Sequence, residues 1–142
     1  LMERRYAGPF GQMIAGDVVY HHVQAAGQNM AALRKEPPSN FSALHADAAR
    51  LPLAAGSVNK VATNLPFGKQ IGSPKVLKKL YPAFFREMER VLGANGRAVV
   101  LSSEYDLVKT AVRACPNLEI LTGYSIAVLG QWGRIYIIRR SE

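Results

Sequence analysis

Three short apolar segments each stop at a polar side chain. Gln12-Met13-Ile14-Ala15-Gly16 stops at Asp17, Phe41-Ser42-Ala43-Leu44-His45-Ala46 at Asp47, and the run from Val58 to Thr63 at Asn64. Runs of this length and composition read as buried strands. Between the first two, Val19, Val23, Ala26, Met30 and Leu33 recur at helical spacing, which predicts a helix over 18–33. Pro37-Pro38-Ser39-Asn40 then forms a loop, and the stretch from Leu51 to Gly56 is a connector. Alternating strands and helices build a mostly parallel sheet with helices on both faces. Ligands on such sheets sit at the carboxyl ends of the strands, so Asp17, Asp47 and Asn64 are expected to border one crevice.

The second half continues the pattern. Gly68 to Pro74 reads as a loop, and Lys75 to Leu92 as a helix with Leu77, Leu80, Tyr81, Phe84, Met88, Val91 and Leu92 on one stripe. Pro82 lacks a backbone donor, which predicts a kink or a fresh helix start there. Gly93-Ala94-Asn95-Gly96 ends that helix, Ala98 to Ser102 is a fourth strand, and Tyr105 to Ala114 a short helix. Leu118 to Leu129 and Arg134 to Arg139 are β-rich and joined around Gly130-Gln131-Trp132-Gly133, which predicts an antiparallel C-terminal hairpin.

A chain of 142 residues makes one domain, so 1–142 is expected to be a single unit. No apolar run approaches the ~20 residues that span a bilayer, so no membrane partner is expected. One cysteine, Cys115, excludes an internal disulfide framework and makes a reducing cytoplasm the default. The formal net charge is +8, which attracts polyanions. After Asp47 the next acid is Glu87, and Arg50, Lys60, Lys69, Lys75, Lys78, Lys79 and Arg86 lie between them. A solvated basic face and an RNA track both fit this run. His21, His22 and His45 have no cluster at metal-ligand spacing, so no metal is expected. Ser57, Ser102 and Ser103 lack the Gly-x-Ser-x-Gly elbow of a hydrolase, and Cys115 has no evident activating partner.

The sharpest chemical signal is Asn64-Leu65-Pro66-Phe67, directly after a strand. An exocyclic base amine is a poor nucleophile because its lone pair is delocalised into the ring. It reacts when both N–H groups are held and the lone pair faces an electrophilic methyl. The Asn64 side-chain oxygen and the Leu65 backbone carbonyl can each accept one N–H. Pro66 stiffens the backbone between them and brings no competing donor, and Phe67 can stack on the base, a contact worth ~1–3 kcal/mol. Positioning of this kind supplies most of the rate, with no strong base required.

The stretches Ala46-Asp47-Ala48-Ala49-Arg50-Leu51-Pro52-Leu53, Gly56-Ser57-Val58 and Thr63-Asn64-Leu65-Pro66-Phe67-Gly68-Lys69-Gln70 resemble the RNA methylase family that includes the THUMP-domain tRNA guanine-N2 methyltransferases. The resemblance continues more weakly through Leu80-Tyr81-Pro82-Ala83-Phe84, Glu87-Met88, Arg90-Val91-Leu92 and Gly96-Arg97, which read as structural. It implies a Rossmann-like class I fold that uses S-adenosylmethionine. It further implies that Asp17 binds the ribose hydroxyls, that Asp47 accepts from the adenine amino group beside the Ala48 N–H, and that Val18 and Ala48 neighbour the adenine. Asn64, Leu65, Pro66 and Phe67 become the catalytic element, with Lys69, Gln70 and Lys75 facing RNA. For both aspartates, helix capping is the competing use.

One departure is an absence. Such methyltransferases open with a strand and a Gly-rich loop whose backbone approaches the cofactor, and nothing before Asp17 has that form; Leu1 to Ala7 reads as the tail of the following helix. The first strand is thus missing, as is any upstream RNA-binding domain. The chain is read as a truncated catalytic domain of a longer protein, with a natural short chain as the alternative. The expected activity is methylation of N2 of a guanosine in tRNA. A ribosomal RNA or adenine N6 substrate, or a non-catalytic RNA-binding or partner-binding remnant, are the competing readings.

Overall fold

The computed structural model describes residues 11–32, 40–66, 73–128 and 130–141. In chain order the elements are β1 (Met13–Asp17), α1 (Tyr20–Ala32), β2 (Phe41–His45), β3 (Val58–Asn64), α2 (Pro74–Val91), β4 (Leu92–Ser102), α3 (Tyr105–Arg113), β5 (Leu118–Val128) and β6 (Gln131–Arg140). They fall into two compact units, divided between Ala48 and Ala49.

In the first unit β1 and β2 pair in parallel, with Met13 opposite Phe41 and Asp17 opposite His45. Helix α1 connects them and lies against both, burying Val23. This is a βαβ unit, the form that parallel strands require because their connection must cross back over the sheet. The expected loop at Pro37 to Ser39 lies outside the described residues.

In the second unit the strand order is β3-β4-β6-β5. β3 and β4 are parallel, and β6 runs antiparallel to both β4 and β5. The parallel pairs and the terminal hairpin match the α/β class I methyltransferase pattern expected from the sequence. Within the described residues β3 pairs along one edge only, with β4, and β1 only with β2.

One face of the four-stranded sheet carries the core. Helix α2 contributes Leu77, Tyr81, Phe84, Phe85, Met88 and Val91, α3 contributes Val108, Ala111 and Val112, and the strands add Ala98, Val100, Tyr136 and Ile138. Full burial of each Val, Leu, Ile, Phe or Met side chain among them stabilises the fold by ~1.5–3 kcal/mol. Leu65, just beyond β3, belongs to the same cluster.

Three details differ from expectation. Helix α2 is continuous from Pro74 to Val91, with Pro82 inside it. The helix start lies at Pro74, where a missing N–H costs nothing. Gly93 to Gly96 are looped out within β4: Val58 pairs with Leu92 and Lys60 already with Arg97. Asn95 takes the left-handed backbone there, at φ 59°, which asparagine tolerates better than most residues. At the hairpin, Gln131 to Gly133 are strand residues, and Gly130, at φ 78°, forms part of the turn. Among the described residues no helix is long and apolar enough to cross a membrane.

Candidate active site

Parallel pairing sets the carboxyl ends of β1 and β2 side by side, so Asp17, Val18, Asp47 and Ala48 lie at one end of the first unit. Asp17 accepts the Val19 N–H on Oδ1 at 2.7 Å, and its Oδ2 is 3.4 Å from His22 Nδ1. The capping use of this aspartate is therefore real. It does not exhaust the carboxylate, which has about four lone-pair sites and a side chain 41% exposed. His45 donates from Nε2 to the Val18 carbonyl at 2.9 Å and packs edge-on to Tyr20, 5.6 Å between centroids. This contact ties the segment after β1 to the end of β2 and leaves the Val18 side chain 63% exposed. Ala48 and Asp47 are exposed too. An exposed carboxylate beside an exposed apolar residue fits a sugar diol and the ring attached to it.

The turn after β3 belongs to the second unit. Asn64 is the last strand residue, opposite Leu101, and its side chain is exposed. The next residue points the other way, as strand geometry demands, and Leu65 is only 4% exposed, in the core. The Leu65 N–H donates to the Leu101 carbonyl at 3.0 Å, extending the ladder by one rung. The Pro66 carbonyl accepts from the Tyr81 hydroxyl at 3.0 Å. Asn64, Leu65 and Pro66 thus form one anchored tip at the carboxyl end of a parallel pair. Phe67, Lys69 and Gln70 lie outside the described residues. Lys75 is exposed in the first turn of α2.

Two side chains beside this tip were read from sequence as structural or inert. Tyr81 is completely buried, and its hydroxyl lies 2.6 Å from Ser102 Oγ, which accepts the Glu104 N–H at 2.9 Å. Burial pushes the Tyr81 pKa up to about 12, against the opposing effect of the Ser102 hydrogen bond. The phenol is therefore neutral at physiological pH and acts as a hydrogen-bonding group. The one signal in the sequence is a hydroxyl on an otherwise apolar helical stripe.

A second anchor fixes the connector that precedes β3. Arg90 donates to the carbonyls of Leu51 and Leu53 at 2.9 and 2.8 Å and to both oxygens of Glu87. Glu87 in turn accepts the Leu51 N–H at 2.6 Å. The Arg90 hydrogen bonds hold the Glu87 carboxyl below its usual pKa, with the Leu51 N–H adding to the effect. Cys115 is buried and its thiol is pushed up by that burial, the opposite of an activated nucleophile. Among the described residues no group of three or more His, Cys, Asp or Glu side chains is placed to hold a metal ion.

Residues 3–122 match the family described as RMKL-like, methyltransferase domain. Human tRNA (guanine(6)-N(2))-methyltransferase THUMP3 is 42% identical over 101 residues, covering 64% of this chain and 20% of that protein. The tRNA (guanine(6)-N2)-methyltransferase of Methanocaldococcus jannaschii is 26% identical over 92 residues, covering 65% of this chain and 24% of that protein. The chain therefore spans roughly a fifth to a quarter of the length of these relatives. Among solved structures, TrmN from Thermus thermophilus superposes with a TM-score of 0.79 at 23% identity, over 97% of this chain and 39% of that one. A SAM-dependent methyltransferase from Methanosarcina mazei superposes with a TM-score of 0.68 at 10% identity, over 90% of this chain and 81% of that one. These two establish the fold, and the match over residues 3–122 establishes that the chain belongs to the RMKL-like methyltransferase domain family.

Proposed function

We propose that residues 1–142 belong to one catalytic domain that transfers a methyl group from S-adenosylmethionine to N2 of a guanosine in tRNA. The observation that carries this reading is the anchored Asn64-Leu65-Pro66 tip at the carboxyl end of β3. S-adenosylmethionine supplies an electrophilic methyl on a sulfonium. Asp17 would hold the ribose hydroxyls through charge-assisted hydrogen bonds. Asp47 and the Ala48 N–H would read the adenine edge, with Val18 against the ring. The Asn64 side-chain oxygen and the Leu65 carbonyl would each accept one amine N–H, which fixes the direction of the nitrogen lone pair. Phe67 would stack on the guanine. The proton displaced from the amine leaves to solvent, so the site needs no side-chain base.

Lys69, Gln70 and Lys75 would contact RNA, with Lys78 and Lys79 extending the basic track. The relatives, which are tRNA guanine-N2 methyltransferases, support guanosine N2 of tRNA over an adenine N6 or ribosomal substrate. An RNA-binding domain beyond this segment, and a cytoplasmic location, belong to the same proposal. The decisive experiment is Asn64→Ala in the full-length protein. Methyl transfer to tRNA should be abolished while calorimetric affinity for S-adenosylmethionine stays within about twofold, because Asn64 touches only the base. Retained turnover removes Asn64 from the mechanism.

A second reading, an RNA-binding remnant, rests on the basic run from Arg50 to Arg86, which would serve RNA binding with or without catalysis. Under that reading the full-length protein binds tRNA but gives no calorimetric signal with S-adenosylmethionine.

A further inference from the structure

We infer that Tyr81 and Ser102 are positioning residues of the methyl-transfer tip, acting through a one-way hydrogen-bond chain that ends on the Pro66 carbonyl. The inference rests on the catalytic reading of Asn64 and Leu65.

The direction of the chain follows from counting hydrogens. A carbonyl cannot donate, so the Tyr81 hydroxyl must give its single hydrogen to Pro66 O, 3.0 Å away. The 2.6 Å contact between Tyr81 and Ser102 must then be donated by Ser102. The Glu104 N–H can only donate, and it supplies Ser102 Oγ at 2.9 Å. Each hydroxyl accepts one bond and donates the next, from Glu104 N–H to Ser102 to Tyr81 to Pro66. Both hydroxyl residues are fully buried. A buried hydroxyl costs stability unless it is paired, and chains of this kind strengthen one another in a low-dielectric interior.

The position of the chain gives it a function beyond packing. Phe84 and Phe85, neighbours on the same helix, fill the core without a hydroxyl. Phenylalanine would serve equally at 81 if volume alone mattered. The hydroxyl instead reaches the Pro66 carbonyl, just beyond the Leu65–Pro66 peptide, which has no N–H of its own through which it could be tied to β4 because its nitrogen is proline's. On the other side, the Leu65 N–H is already bonded to Leu101 O at 3.0 Å. The Leu65 carbonyl, the proposed acceptor of the second amine N–H, therefore sits between two fixed points. Loss of the chain frees the Pro66 peptide to rotate and lets that acceptor drift while Asn64 stays on its strand.

The test compares Tyr81→Phe, Ser102→Ala and the double variant with Asn64→Ala in the full-length protein, reading methyl transfer to tRNA, affinity for S-adenosylmethionine and the thermal midpoint. Each single variant should lower kcat by roughly 10- to 100-fold, the range expected for misplacement of a reacting group by an ångström or less. Cofactor affinity should stay within about twofold and KM for tRNA should change little. The double variant should be no slower than the slower single one, because both residues act through one chain. If Asn64→Ala is inactive but Tyr81→Phe or Ser102→Ala keeps full kcat, this inference fails and the catalytic reading survives. Losses that multiply in the double variant overturn it as well. If Asn64→Ala itself retains turnover, the catalytic reading fails first.

Discussion

Leu65 shows how one residue can be read correctly and still incompletely. Its backbone carbonyl was legible as a candidate acceptor because Pro66 follows it. Its side chain turned out to be a core anchor, at 4% exposure among Leu77, Tyr81 and their neighbours. Leu65→Ala should therefore destabilise the domain by ~2–5 kcal/mol in urea titrations, with Leu65→Met recovering most of the loss; a cost under ~1 kcal/mol would show that the tip is not held from below. Tyr81 adds a pH dependence with a definite sign. Its pKa is raised from 10.0 to about 12 in the folded protein by burial. Its contribution is complete below pH 10 and drains away toward pH 12, because the unfolded chain gives up the proton first. The stability advantage of the parent over Tyr81→Phe should shrink across that window. An advantage that is constant or growing from pH 10 to pH 12 would contradict the buried, donating phenol.

At the scale of elements, the strands and helices were legible because periodicity reports burial directly. Helix α2 announced itself by the spacing of Leu77, Tyr81, Phe84, Met88 and Val91. Pro82 does not start a fresh helix because a mid-helix proline removes only one donor, while the apolar stripe is packed along all 18 residues. The four residues Gly93 to Gly96 read as a plain turn because their role as an irregularity in the β3–β4 register depends on where Val58 and Lys60 sit, far away in sequence. The Glu87–Arg90 clamp was invisible for the same reason: its targets, Leu51 and Leu53, are 36 to 39 residues distant. This clamp makes an element-scale prediction. Glu87 has a lowered pKa, so its contribution is present above the usual value of 4.5 and lost as pH falls through the folded value. Glu87→Gln should cost ~1–3 kcal/mol near neutrality, the worth of hydrogen bonds to a charged group. The gap to the parent should close in acid. Hydrogen exchange at Leu51 and its neighbours should rise in the variant, and an unchanged rate would mean that the connector is held by something else.

At the scale of the whole molecule, charge decides which partner the domain can approach. The net charge of +8 is not spread evenly, since no acid stands between Asp47 and Glu87. Lys75, Lys78, Lys79 and Arg86 are exposed on α2, the helix whose opposite side carries the Tyr81 hydroxyl to the Pro66 carbonyl. One element would then both stiffen the catalytic tip and meet the phosphate backbone. If these lysines contact phosphates, each contact releases condensed counterions, and log affinity falls linearly with log salt. Reversing Lys78 and Lys79 to Glu should lower the magnitude of that slope by about 1–2 for tRNA. It should weaken binding at low salt while leaving S-adenosylmethionine affinity and the thermal midpoint close to the parent values. A solvated face predicts a different pattern, with the slope unchanged and any loss of affinity small and uniform across salt. The two patterns diverge most between 50 and 200 mM salt, where a protein with several phosphate contacts loses orders of magnitude in affinity. A slope identical to that of the parent in that range would separate the basic run from substrate binding and overturn the proposed RNA track on α2.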